Sequence, residues 1–177
     1  MKIEAHLATH DIGYTVLRAS SFVDILARAA TPVLTGSWGG AAGHGRVNLV
    51  DSHDIADAAF AVLSDERHLG SQRVFHLTSP GPVSMQDVAN ELSRLLSYEV
   101  SYEQRTSVKH REVLIAGGAS EMMADLLLGL DRLFNDSVLS ETTSTVRELT
   151  GHEPRTVAAW LAENIAAFRA KPSSSVA

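Results

Sequence analysis

The stretch Gly13-Tyr14-Thr15-Val16-Leu17-Arg18 limits the fold more than any other part of the chain. It is short, rich in β-formers and set off by a glycine, so a strand fits it best. Its near-continuous apolarity predicts burial on both faces, the pattern of a parallel sheet. Parallel strands need helical crossovers, and the flanking residues supply them. Before the strand, Ile3, Leu7 and Ala8 recur at helical spacing. After it, Ser20 and Ser21 are placed to cap a helix that turns Phe22, Ile25, Leu26 and Ala29 to one side.

The same alternation continues downstream. Val47-Asn48-Leu49-Val50 reads as a strand, and Asp51-Ser52-His53-Asp54 opens a helix reaching Leu63, with its acids at the positive end of the helix dipole. Arg73 to Thr78 is a strand, Ser79-Pro80-Gly81-Pro82 a turn, and Ser84-Met85-Gln86-Asp87 a capping box. Val100 to Tyr102 is a brief strand. Beyond residue 106 the pattern is helical: Ser107–Ala116, Ser120–Phe134, Glu141–Leu149 and Thr156–Phe168, with Gly151 where a helix end needs a left-handed residue. Residues 31–46 hold Pro32, Gly36, Gly39, Gly40, Gly43 and Gly45 and predict a long loop. The fold class is therefore α/β, a parallel sheet followed by a mostly helical subdomain.

Charge and composition exclude several functions. Fifteen basic against twenty-one acidic residues give a net charge of −6, and no basic block offers a footprint for nucleic acid. Without cysteine, thiolate metal sites, disulfides and cysteine nucleophiles are excluded. No window approaches the roughly 18 apolar residues of a membrane span, and Met1 to His6 lacks a signal peptide's apolar run, so a cytoplasmic location is expected. Residues 171–177, Lys-Pro-Ser-Ser-Ser-Val-Ala, are expected to be a disordered tail. Ser52-His53-Asp54 is contiguous and so is no triad, whose members converge from separate segments. His6 and His10 share a helical face with no carboxylate cluster to complete a metal site, and none is expected. Asp54 is expected to be structural. Met122 and Met123 either pack in the core or line a substrate cleft.

Four blocks resemble one family in the same order. Gly13-x-Thr15-x-Leu17-Arg18 with Phe22, Gly43-x-Gly45-Arg46 leading to Val50-Asp51 and Asp54-Ile55-Ala56, Leu77-Thr78-Ser79-Pro80, and Leu149-Thr150-Gly151-x-x-Pro154-Arg155-Thr156 with Trp160 are similar to the NmrA-like family of atypical short-chain dehydrogenase/reductases. The resemblance implies that residues 1–170 are the C-terminal half of a Rossmann-like NAD(P)-binding domain, with a helical substrate cap. It implies an NAD(P)H-dependent oxidoreductase module acting on a quinone or related carbonyl compound, with NADP or NAD as cofactor.

The family's glycine-rich phosphate motif, which follows a strand and opens a helix, has no counterpart in these residues. The glycines from 36 to 45 follow a helix and lead into a strand. Cofactor binding and activity by this chain alone are therefore not expected. Lys2 falls about half a turn from the family's reductase lysine, and Tyr14 and Arg18 lie on a strand, where that spacing does not co-locate side chains; the catalytic residues are unknown. Ligands gather at the carboxyl ends of parallel strands, and the resemblance puts Ala19, Ser20, Ser21 and Phe22 against the cofactor. Phe22, Arg46, Asn48 and Met122 are the candidates for a small-molecule substrate. For Ser20 and Ser21 helix capping, and for Arg46 and Asn48 a strand-surface role, stand as equally structural alternatives.

A sheet of this kind leaves the edge of strand 14–18 to be covered, by a second copy in a homo-oligomer, by an N-terminal companion chain, or by the chain's own Gly36–Gly45 loop. Two other classes of function remain open: a non-catalytic small-molecule or redox sensor, and a cofactor-free isomerase or cyclase.

Overall fold

The computed structural model describes residues 2–68 and 70–169, Lys2 by its backbone alone. The expected tail, 171–177, lies outside the described residues. In chain order the elements are α1 (Lys2–Leu7), β1 (Tyr14–Ala19), β2 (Ser21–Phe22), a 3-10 segment (Val23–Ala29), α2 (Ala30–Leu34), β3 (Gly39–Gly40), β4 (Leu49–Val50), α3 (Ser52–Ser64), a 3-10 turn (Glu66–His68), β5 (Gln72–Leu77) and α4 (Met85–Leu96). There follow β6 (Glu103–Gln104), α5 (Ser107–Ala116), α6 (Glu121–Asn135), α7 (Thr145–Thr150), α8 (Val157–Glu163) and a last 3-10 segment (Ile165–Phe168).

The fold is α/β with parallel pairing throughout its named strands. β1 lies along β5 from Tyr14 opposite Gln72 to Ala19 opposite Leu77. One residue further on, β2 leaves β5 and pairs with β4, Ser21 opposite Leu49 and Phe22 opposite Val50. β3 pairs with β6. Among the described residues β1 is hydrogen-bonded on one side only.

That single-sided pairing corrects the expectation of burial on both faces: every residue of β1 is half-buried. Two clusters form the core. The larger gathers Val23, Leu26, Trp38, Leu49, Val88, Leu92, Phe134, Leu161 and Phe168, mostly from the helical elements. The smaller, under the sheet, joins Val50, Ala58, Leu77 and Val146. Stability is thus concentrated in the helical part, and the sheet's own apolar surface is incompletely covered.

Several local expectations are revised. Ser20 and Ser21 cap no helix: the Ser20 hydroxyl donates to the Asn48 carbonyl (2.8 Å) and Ser21 is held in the β2 ladder, so the 3-10 segment starts behind Phe22 without a side-chain cap. Residues 31–46 are not one long loop. Pro32 sits early in α2, where its missing N–H is no loss, and Gly39–Gly40 are paired with β6 rather than with β1. The helix expected from Glu141 starts at Thr145. Thr143 accounts for the difference: its N–H reaches the Thr78 hydroxyl (2.9 Å) and its own hydroxyl donates to the His76 carbonyl (2.7 Å), which lays this segment along the end of β5. The brief strand lies at Glu103–Gln104, just past the expected Val100–Tyr102.

The glycines of this region serve close packing. A Cβ on Gly45 would meet the Phe134 carbonyl oxygen at 1.9 Å, and one on Gly40 the Tyr102 hydroxyl at 2.3 Å. Other signals match the structure. The Ser84–Asp87 capping box forms in both directions, Asp51 caps α3 through the His53 N–H, and Gly151 ends α7 at φ 80°.

Candidate functional site

A cleft of about 430 Å³ opens where β1 and β5 end, within the size range of small-molecule sites. Its floor is the strand pair, from Val16 to Ser20 on one side and His76 to Thr78 on the other; Glu4 of α1 and Val138, Leu139 and Glu141 from the segment after α6 form its walls.

One chain of polar contacts crosses it. Arg18 donates through Nε to Glu4 Oε1 (2.9 Å) and through Nη2 to Oε2 (2.5 Å). Its Nη1 reaches His76 Nε2 at 3.0 Å, and His76 Nδ1 lies 3.1 Å from Glu141 Oε2. Arginine has only donors, so Nε2 of His76 must be the bare nitrogen and Nδ1 carries the proton that goes to Glu141. The two contacts thus select one imidazole tautomer. The Arg18 guanidinium holds the Glu4 carboxyl down at about 2, and Glu4 in return raises Arg18.

Of the residues singled out by sequence, Ala19 and Ser20 line this cleft. Ser21 and Phe22 lie just beyond it in β2, and Phe22 is half-exposed. Arg46 turns the other way, donating to the Pro82 carbonyl (2.8 Å) and pairing with Asp87 (3.0 Å) at the head of α4. Asn48 is fully buried. Its amide nitrogen donates to the Ser79 carbonyl and to Thr142, and its oxygen accepts the Ser79 N–H at 2.6 Å. No atom of that side chain is left for a ligand, so Asn48 is a structural link between β4 and the turn after β5. Met122 is exposed on the first turn of α6. The cleft is touched only beyond the other end of that helix, about 20 Å away at 1.5 Å per residue. Asp54 is structural, fully buried and bonded to Arg155.

Sequence reasoning missed Glu4, His76 and Glu141. Glu4 and His76 join Arg18 across 14 and 58 positions, and Glu141 joins His76 across 65, beyond any helical or strand period. Only the β1–β5 register, which sets Arg18 directly beside His76, exposes the link. Among the described residues no group of three or more histidine and carboxylate side chains is disposed to hold a metal, and no helix is long and apolar enough to cross a membrane.

No protein-family model matches the chain. Individual proteins do. Quinone oxidoreductase 2 of Escherichia coli strain K12 is 28% identical over 159 residues, 89% of this chain and 55% of that protein. The crystal structure of the NADPH-dependent quinone oxidoreductase from Escherichia coli complexed with NADPH superposes with a TM-score of 0.83 at 26% identity, covering 92% of this chain and 57% of the other. Triphenylmethane reductase from Citrobacter sp., complexed with NADP(H), shares the fold with a TM-score of 0.81 at 23% identity, over 90% of this chain and 56% of that one. The chain spans between 37% and 57% of the length of the curated relatives it matches. In sequence and in fold the chain is thus similar to the C-terminal part of NmrA-like atypical short-chain dehydrogenase/reductases.

Proposed function

We propose that the chain is the substrate-side module of an NAD(P)H-dependent oxidoreductase acting on a quinone or related planar carbonyl compound. The observation that carries the reading is the cleft at the carboxyl ends of β1 and β5, the edge at which α/β sheets hold ligands, in a chain similar to an NADPH-dependent quinone oxidoreductase.

The described residues fit one end of the dinucleotide and not the other. Ala19 and Ser20 on the cleft floor and half-exposed Phe22 beside it offer a wall for a flat ring. The Glu141 carboxylate on the cleft wall suits a nicotinamide that becomes positively charged as hydride leaves. The glycines at 39, 40, 43 and 45 are filled by Glu103, Tyr102, Asn135 and Phe134 and make no phosphate cradle. In this reading the nicotinamide end is held here and the phosphates by residues other than these, so the described chain alone binds weakly and turns over little. The reduced dinucleotide would be the hydride donor; the chain's part is to orient the ring, while catalytic residues remain unassigned.

The open side of β1, together with exposed Ile12, Phe60 and Leu63, supports a partner that adds a strand there, an N-terminal companion chain or a second copy. The module is placed in the cytoplasm, where NADPH is regenerated. A non-catalytic sensor is the second reading, favoured by a His76 whose two ring nitrogens are both committed to protein partners. Titration with NADPH and NADH separates the two. Saturable binding that weakens in Phe22→Ala supports the reductase module, and absence of binding supports the sensor of another ligand.

A further inference from the structure

A second, smaller cavity of about 190 Å³ lies inside the helical part, and no residue lines both it and the cleft. Its walls are apolar, chiefly Trp38, Leu114, Leu127 and Phe134. Exposed Arg28 also lines it, and a buried polar group interrupts the apolar walls. Asp131 of α6 and His110 of α5 face each other there, His110 Nε2 to Asp131 Oδ2 at 3.5 Å, with Tyr102 beside them and Gly40 close enough that a Cβ would strike its hydroxyl.

The hydrogen bonding of this group is unfinished. Asp131 spends Oδ2 on the Ala41 N–H (2.7 Å) and on His110, and no described residue reaches Oδ1. His110 Nδ1 is buried without a partner. With the Nε2 proton toward Asp131, Nδ1 is a bare acceptor as well. An unpaired buried polar atom such as His110 Nδ1 is unfavourable, and both it and the Asp131 carboxylate oxygen are acceptors. A ligand that completes the site must therefore bring a donor. At the Asp131–His110 group a carbonyl oxygen or a carboxylate would set lone pairs against lone pairs.

Volume fixes the rest of the ligand. A dry apolar cavity of about 150 Å³ takes up a benzene ring, and this one is of that order. We propose that the cavity binds a single neutral aromatic ring bearing a hydroxyl group, of the phenol or hydroquinone class, with its O–H donated to Asp131. The site does not rest on the reductase reading, since no dinucleotide contributes to it.

The test is a titration of the chain, without dinucleotide, with phenol and with toluene, which has the same shape and no hydroxyl. Binding is read from the indole N–H resonance of Trp38. Phenol is expected to shift it saturably and to bind about tenfold or more tightly than toluene, the value of one satisfied buried hydrogen bond. In Asp131→Leu, checked for folding by its thermal transition, phenol falls to the level of toluene. Should that variant not fold, Asp131→Asn keeps an oxygen for Ala41 and is expected to weaken phenol several-fold while leaving toluene unchanged. Equal affinity of the two probes in the wild-type chain, no saturable shift at Trp38, or phenol affinity unaffected by both variants would overturn the assignment.

Discussion

Arg155 closes onto Asp54 across 101 residues of chain: its backbone N–H donates to Asp54 Oδ2 at 2.7 Å and its guanidinium to Oδ1 at 2.5 Å. Asp54 is fully buried on the first turn of α3, and Arg155 stands just before α8. The contact therefore pins the C-terminal helices to the sheet-covering helix, and the guanidinium also reaches Asp57 at 3.1 Å.

Removing the buried carboxylate leaves both a backbone donor and a guanidinium unmatched. Asp54→Ala is expected to lower unfolding free energy by about 2–4 kcal/mol, with the partly exposed arginine keeping the loss below that of a fully buried pair. Urea denaturation measures it. A change under about 0.5 kcal/mol would mean that the pair is incidental.

Asn48 makes a second prediction. With its amide engaged by Ser79 and Thr142 and no surface exposed, Asn48→Ala should reduce stability by about 2 kcal/mol, the value of a buried network losing its centre. Ligand affinity at the cleft should change only as far as the folded fraction does. A folded variant with selectively lost binding would return Asn48 to the list of ligand contacts.

At Gly45 the constraint is steric rather than conformational. A methyl there would overlap the Phe134 carbonyl oxygen at 1.9 Å, and backbone cannot give way as a side-chain tip can. Gly45→Ala is expected to destabilise by about 1–3 kcal/mol, while Gly81→Ala, which meets nothing within 4 Å, should be nearly neutral. Paired denaturation curves decide it.

His110 sets a pH dependence. Burial chiefly pushes its imidazole below the ordinary value of 6.5, with Arg105 acting in the same sense and Asp131 opposing. The folded state thus resists a proton that the unfolded chain accepts, so stability should fall as pH drops below about 6.5. Asp131 is pushed up by burial against the Ala41 N–H and His110. Its carboxyl keeps a proton longer when folded, so its contribution falls as pH rises above 3.8. His110→Gln should flatten the difference in stability between pH 7.5 and 5.5 relative to wild type. An unchanged difference would show that the imidazole does not resist protonation.

How far these features were legible in the sequence depends on the range of the interaction that sets them. The α3 cap at Asp51, the Ser84–Asp87 box and the Gly151 helix end are decided within four residues, and sequence reads them directly. β1 was legible as a strand from its β-formers, but not its half-exposure, which depends on which neighbour occupies its second edge. Ser20 looked like a cap because its competitor, the Asn48 carbonyl, comes from another strand. The cleft was half-visible. Ala19 and Ser20 follow from the rule that ligands gather at strand ends, whereas His76 and Glu141 required the β1–β5 register and the Thr143 tether.

The central claim, that the carboxyl edge of β1 faces a nicotinamide, is tested most directly by amide-resolved titration with NADPH and with reduced nicotinamide mononucleotide. Both ligands should shift the amides of Ala19, Ser20, Ser21 and Phe22 saturably and leave Gly39 to Gly45 unmoved. Shifts confined to the glycine segment, or none at Ala19–Phe22 at millimolar ligand, would contradict it.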